Sequence, residues 1–178
     1  MKLLRWGFSI VAIVVLVVAA IYGIGASLPL HHSAHAERLA SMPTTAVAAR
    51  LRAVRDYPSW RPGLDLVVTS ENQGAITYIE TLDGDRIAYR LTEPEHGRRF
   101  VSAITDETLP FGGHWTITLT PQGDSTLVRI EEDGDIRDPI YRFFARFVFG
   151  YTSSMESYLD QLQASAAITP APNPPPGR

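Results

Sequence analysis

The sequence predicts an α+β protein: a curved antiparallel sheet wrapped on a long C-terminal helix and preceded by a single transmembrane helix. Three observations predict it. Over residues 64–133 apolar and polar residues alternate, with short turn signals between the runs, which is the pattern of strands joined as a meander. Ile140, Phe144, Val148, Tyr151, Met155, Leu159 and Leu162 then recur every three or four residues, the period of an amphipathic helix. At the other end, residues 8–26 carry no charge, and at about 1.5 Å of rise per residue they make a helix about 28 Å long, close to a bilayer's hydrocarbon thickness.

Lys2 and Arg5 precede the apolar run and no Lys or Arg follows until Arg38, so the positive-inside bias places the N-terminus in the cytoplasm and everything after Ser27 outside. A cleaved secretory signal is the competing reading, because Ala34, His35 and Ala36 form a small-x-small site. The anchor is preferred: the run is longer than a usual signal core, and a cut after Ala36 removes half of the first strand. The expected organisation is an anchor at 1–27, one domain at 28–166 and a disordered Pro-rich tail at 167–178. There is no cysteine, which excludes a Cys-linked lipid, a disulfide framework, a thiol nucleophile and a thiolate metal site. A formal charge of -3 with acids and bases interspersed argues against the strongly basic face that nucleic-acid binding requires.

Residues 30–40 read as an extended segment leaving the membrane. Residues 44–54 read as a helix, with Thr44 or Thr45 as its cap and Val47, Leu51 and Val54 on one face. Pro58 stops it, and Trp60, Arg61, Pro62 and Gly63 make a turn. Strands are expected from Leu64 and over 75–82, 85–92, 99–105, 114–120 and 125–132, with turns at Asp83-Gly84, at 94–97, at 110–113 and at 121–124. Trp115, Ile117 and Leu119 share one face while Thr116, Thr118 and Thr120 share the other, so one side of the sheet is covered and one is wet. Asp138 and Pro139 form an N-cap and first helical position, and Phe143, Phe147 and Tyr158 widen the apolar face of the helix that follows. Gly150 falls inside that helix, at a cost of about 1 kcal/mol relative to alanine, and marks a bend or a place where space is left.

The corner Tyr57, Pro58, Ser59, Trp60, Arg61, Pro62 and Gly63, the run at 109–115, and the stretch from Glu131 through Pro139 resemble the START-like, birch-pollen-allergen-like (SRPBCC) superfamily. That group includes polyketide cyclase/dehydrase and lipid-transport domains, and these motifs look like its membrane-tethered bacterial members. The resemblance spans residues 30–162 and implies a helix-grip fold, a soluble domain in the periplasm and an anchor in the bacterial inner membrane. It departs at Ala48 and Ala49, where relatives often carry a bulky aromatic.

The expected function is non-enzymatic binding of a lipid or other hydrophobic small molecule between sheet and helix, with the bilayer as partner through the N-terminal helix and no cofactor. Trp60, Tyr78, Tyr89, Phe111, Trp115, Phe144, Phe147, Tyr151 and Met155 are the pocket-lining candidates, since aromatics dominate cores and pockets alike. Two alternatives stand beside it. A cyclase- or hydratase-type enzyme needs His114, Tyr78, Tyr89, Arg90, Glu80 or Asp106 to converge as acids and bases, and no known catalytic motif marks them, so no catalytic residue is assigned. An envelope interaction module needs only a filled core. His31, His32 and His35 are the densest set of metal-ligand types, and His31, His35 and Glu37 project from one side of a strand. No second carboxylate cluster lies near them, and no metal is assigned. Arg137, Arg142 and Arg146 are placed to meet anionic headgroups or to form a solvated helix face.

Overall fold

A seven-stranded antiparallel sheet in the order β1-β7-β6-β5-β4-β3-β2 carries the domain. The computed structural model describes residues 2–167; the expected tail from Ile168 onward lies outside the described residues. After an N-terminal helix, α1 (Lys2–Ser27), come β1 (His31–Ala40), α2 (Thr44–Arg52) and a 3-10 turn (Val54–Ser59). The meander then runs through β2 (Asp65–Asn72), β3 (Ala75–Leu82), β4 (Asp85–Glu95), β5 (Arg99–Ile104), β6 (Phe111–Gln122) and β7 (Ser125–Ile136). The described residues end with α3 (Pro139–Phe144), a π-turn (Ala145–Phe149), α4 (Ser153–Ala164) and a 3-10 turn (Ser165–Ala167). Within α1, Ser9–Ser27 is long and apolar enough to cross a membrane.

The strands are where the period of two puts them, and two run further than their turn signals suggest. Phe111, Gly112 and Gly113 do not turn: they extend β6 and pair with Ile136, Asp135 and Gly134 at the end of β7. The Pro110 carbonyl accepts from the Arg137 N–H at 2.7 Å, which fixes the corner one step earlier. Likewise β4 continues through Pro94, with a bulge between Thr92 and Glu95 that spares proline a ladder bond. β1 returns to pair with β7 over its whole length, so the first and last strands are neighbours. In β1 the alternation turns His32, Ala34 and Ala36 inward, leaving His31, His35 and Glu37 exposed.

No threonine caps α2. Its N-cap is Pro43; the Thr44 hydroxyl lies 3.1 Å from that of Thr126, which itself donates to the Met42 carbonyl at 2.8 Å. The buried hydroxyl of β7 thus ties the β1–α2 corner to the sheet. Val47, Ala48 and Leu51 of α2 are buried against the sheet beside Phe100, Leu119, Val128 and Ile130, so Ala48 belongs to the core.

The expected single C-terminal helix is two helices. Asp138 caps α3 as expected, accepting from the N–H groups of Ile140 at 2.8 Å and Tyr141 at 3.1 Å. The ladder then widens into the π-turn and stops at Gly150, whose φ of 78° and ψ of 154° suit glycine alone. Met155, Tyr158, Leu159 and Leu162 of α4 enter the core. Val148 of the same sequence ladder and Phe147 of its widening flank remain outside at 58% exposure each. Only α4 is the helix that the sheet grips; α3 instead packs against α1.

Candidate functional site

A cavity of about 530 Å³ separates the concave face of the sheet from α4. Its walls are the inward residues of successive strands: Tyr78 and Glu80 of β3, Ile87, Tyr89 and Leu91 of β4, Ser102 and Ile104 of β5, Trp115 and Ile117 of β6, and Glu132 and Ile136 of β7. Tyr158 and Gln161 of α4 form the roof, and Phe111, Tyr141, Phe144, Phe149 and Tyr151 surround one end. The lining is mostly apolar with two polar centres, the usual composition of a site for a small hydrophobic ligand.

The first centre is the ion pair of Arg61 and Glu80, whose side chains are 13% and 10% exposed. The guanidinium sits 5.9 Å from the Tyr57 ring centroid and 5.3 Å from that of Tyr158, so aromatic faces take part of the charge. Burial disfavours the charged guanidinium, but the hydrogen bond and charge of Glu80 outweigh it, and the Arg61 pKa is raised. Tyr78 stacks on Tyr89 at 5.6 Å, and its hydroxyl is 3.4 Å from that of Ser102. Tyr57 donates to the Leu51 carbonyl at 2.7 Å.

Burial pushes the Tyr158 hydroxyl up to about 12, and burial also raises Tyr57, Tyr78 and Tyr89. A phenol whose folded pKa is raised contributes its full stability below the unfolded value of about 10 and loses it as pH climbs toward the folded value. In an alkaline titration of the folded chain, the phenolate absorbance of these four of the seven tyrosines is expected to appear only above about pH 11 or on unfolding. Ionisation of these four near pH 10, with the far-ultraviolet circular dichroism still native, would contradict this burial.

The second centre is on the opposite wall. His32 Nε2 faces Glu132 Oε1 at 2.7 Å, and the indole of Trp115 donates to Glu132 Oε2 at 2.6 Å. The His32 ring stacks on Tyr151 at 4.6 Å, which joins this centre to the start of α4. His32 Nδ1 and Arg61 Nε are buried without a protein partner, so each polar centre keeps a spare hydrogen-bonding atom among residues that line the cavity.

Of the nine pocket-lining candidates, Tyr78, Tyr89, Phe111, Trp115, Phe144 and Tyr151 line the cavity. Trp60 and Met155 do not; they are core residues at 5% and 0% exposure, with Trp60 packed edge-on against Tyr158. Phe147 points outward, because the π-turn rotates it away from the sheet. Among the acid/base candidates, Glu80 and His114 reach the cavity beside the two tyrosines. Arg90 is on the exposed face, and Asp106 is in the loop before β6, where it accepts from the Thr108 N–H and hydroxyl. His31 pairs with Asp135 on the outer face at 3.2 Å. Among the described residues no group of three His, Cys, Asp or Glu is placed to hold a metal.

The sequence reading did not place Arg61, His32 or Glu132 in the cavity, although it named His32 among the metal-ligand types and Arg61 in a turn. Alternation from Ala34 and Ala36 turns His32 inward, and the β6–β7 register sets Trp115 opposite Glu132, a pairing that length-matched strands make available. Arg61 carries no such signal, since it comes from a turn.

A sheet closed on a C-terminal helix, with a cavity between them, is also what the comparisons find. The family model described as polyketide cyclase / dehydrase and lipid transport matches residues 31–167. The chain belongs to that family. The match covers the whole sheet and α4, and so every residue of both polar centres. Solved structures with the family's fold include the ZhuI aromatase/cyclase from Streptomyces sp. R1128, at TM-score 0.66 and 13% identity over 76% of this chain and 93% of that one. Norcoclaurine synthase from Thalictrum flavum follows at TM-score 0.63 and 11% identity, over 82% and 91% of the two chains. A START superfamily protein from Mycobacterium smegmatis superposes at TM-score 0.57 and 14% identity, over 75% and 95%. No curated protein matches by sequence. Identities this low carry the fold and leave the activity to the cavity's own chemistry.

Proposed function

We propose that this protein is a membrane-anchored binding domain, at residues 28–166, that holds a lipid or other hydrophobic small molecule in the cavity between sheet and α4. The observation that carries this reading is the cavity itself, about 530 Å³ of mostly apolar wall, where a filled interior would have suited a surface-acting module. Apolar ligand surface leaving water gains about 25 cal/mol per Å², and the two polar centres, Arg61 with Glu80 and His32 with Glu132, supply orientation for a polar end group. Tethering keeps the cavity where such ligands partition. The anchor is read as retained in a bacterial inner membrane with the domain in the periplasm: β1 pairs with β7 from His31 onward, and cleavage after Ala36 would remove His32 with most of that strand.

The test uses the full chain in nanodiscs supplied with a fatty acid bearing a photoactivatable diazirine near mid-chain. Adducts are expected on peptides carrying Trp115, Ile117 and Tyr158, and Ser102→Trp, which fills the cavity, is expected to reduce them at least tenfold. Adducts confined to α1 in the wild type would overturn the reading.

An enzymatic reading has one observation in its favour, the carboxylate of Glu132 clamped between His32 and the Trp115 indole, which is an acid/base arrangement facing the cavity. It predicts that a ligand recovered from the wild type differs in mass from one recovered from Glu132→Gln. Identical ligands in both proteins favour binding alone.

A further inference from the structure

Four apolar side chains stand exposed in one short stretch: Tyr141 at 53%, Phe147 and Val148 at 58%, and Phe149 at 66%. A soluble surface rarely concentrates apolar residues this way unless something covers them. Their position against α1 identifies what does. The Ile136 N–H donates to the Leu30 carbonyl at 2.9 Å, and three residues later Pro139 lies against Gly25, where a Cβ would fall 1.8 Å from the Pro139 carbonyl oxygen. The chain therefore doubles back along α1 toward its apolar middle. Arg142 Nη1 clamps the pair by donating to the Leu28 carbonyl at 3.1 Å. From Ser9 to Leu28, only Ile21, Gly25 and Leu28 are withdrawn from solvent, and their spacing puts them on one helix face. So α3 covers the last two turns of α1, about 11 Å of a rod about 28 Å long.

A bilayer's hydrocarbon core is about 30 Å thick, with an interfacial layer of about 5–7 Å on each side. If α1 spans it, as the proposed anchoring requires, α3 and the turn after it cannot stand clear of the membrane. We infer that residues 141–149 are seated in the boundary between headgroups and acyl chains of the leaflet from which α1 emerges, so that the cavity opens onto lipid. Tyr and Phe suit that boundary, and the exposed Arg146 lies in the same turn, where a lipid phosphate can meet it. Phe144, Phe149 and Tyr151 line the adjoining end of the cavity, so a hydrophobic ligand passes sideways between leaflet and cavity without crossing water. The inference rests on the anchor reading and extends the binding reading to its route of entry.

The chain contains no cysteine, which makes single-site labelling clean. Full-length Phe147→Cys and Val148→Cys, carrying nitroxide labels in vesicles of phosphatidylethanolamine and phosphatidylglycerol, are compared with Leu16→Cys inside α1 and Val67→Cys on β2, both sites exposed in the free chain. The ratio of oxygen to nickel-chelate collision is expected to place positions 147 and 148 between the two references and clearly above Val67→Cys. Values equal to those at Val67→Cys would overturn the inference. Should the labelled variants fail to fold, wild type is irradiated in vesicles containing a phosphatidylcholine with a diazirine on its acyl chain: adducts on the 141–149 peptide support the inference, and adducts on α1 alone overturn it. Both readouts report depth whether or not the cavity holds a ligand, so an empty cavity with a buried turn defeats the binding reading and leaves this one standing.

Discussion

Glu80→Ala is expected to lower the unfolding free energy by about 3–5 kcal/mol, because it strands the Arg61 guanidinium in a site only 13% exposed. The penalty comes from the charge left behind, since a buried pair against its apolar replacement is close to neutral. Accordingly, Arg61→Met with Glu80→Leu is expected to recover most of the loss. Urea denaturation of the detergent-solubilised chain reads both values. A loss below about 1 kcal/mol in the single variant would mean that water reaches the guanidinium freely. The same pair of variants bears on function. In the double variant the cavity keeps its shape and loses one polar centre, so a ligand with a polar end group is expected to bind more weakly there while a plain hydrocarbon does not.

Leu159→Ala is expected to cost about 2–5 kcal/mol, while Val148→Ala, from the same sequence ladder, is expected to change stability by no more than about 0.5 kcal/mol. Leu159 is 1% exposed against the sheet, and its truncation leaves a cavity among its packed neighbours. Val148 is 58% exposed in the π-turn and has little packing to lose. Equal costs for the two would restore a single continuous helix lying on the sheet. The contrast also separates two roles: α4 holds the fold together, whereas the 141–149 stretch stands at the cavity's edge beside α1.

Most of the architecture was legible because sheets advertise themselves by alternation. Leu64 to Asp133 showed the period of two, and the strands formed there, with a register in which Trp115, Ile117 and Leu119 face inward as one row. The cap at Asp138 was equally legible, since an acceptor side chain before proline is a local signal that needs no tertiary help. The continuity of the last helix was not. A helical ladder of apolar residues persists whether or not the backbone follows it, and the conformation of Gly150 depends on what its neighbours pack against. The threonine cap of α2 failed for a related reason: a hydroxyl goes to the better partner, and β7 offered Thr126.

For the site, local sequence supplied aromatic candidates but could not sort core from cavity. Trp60 and Tyr78 look alike in composition; one packs edge-on against Tyr158 inside the core, while the other stacks on Tyr89 at the cavity wall. Arg61 and Glu80 are 19 residues apart, and His32 and Glu132 are 100 residues apart. No local period links them. The sequence by itself determined an uncharged rod of bilayer length, an alternating sheet and an apolar helical face, because each is a repeating relation between near neighbours. Which charges meet inside the cavity, where the last helix breaks, and which aromatics are left against α1 were decided only when distant segments came into contact, since an ion pair or a packed ring depends on three-dimensional distance and not on separation along the chain.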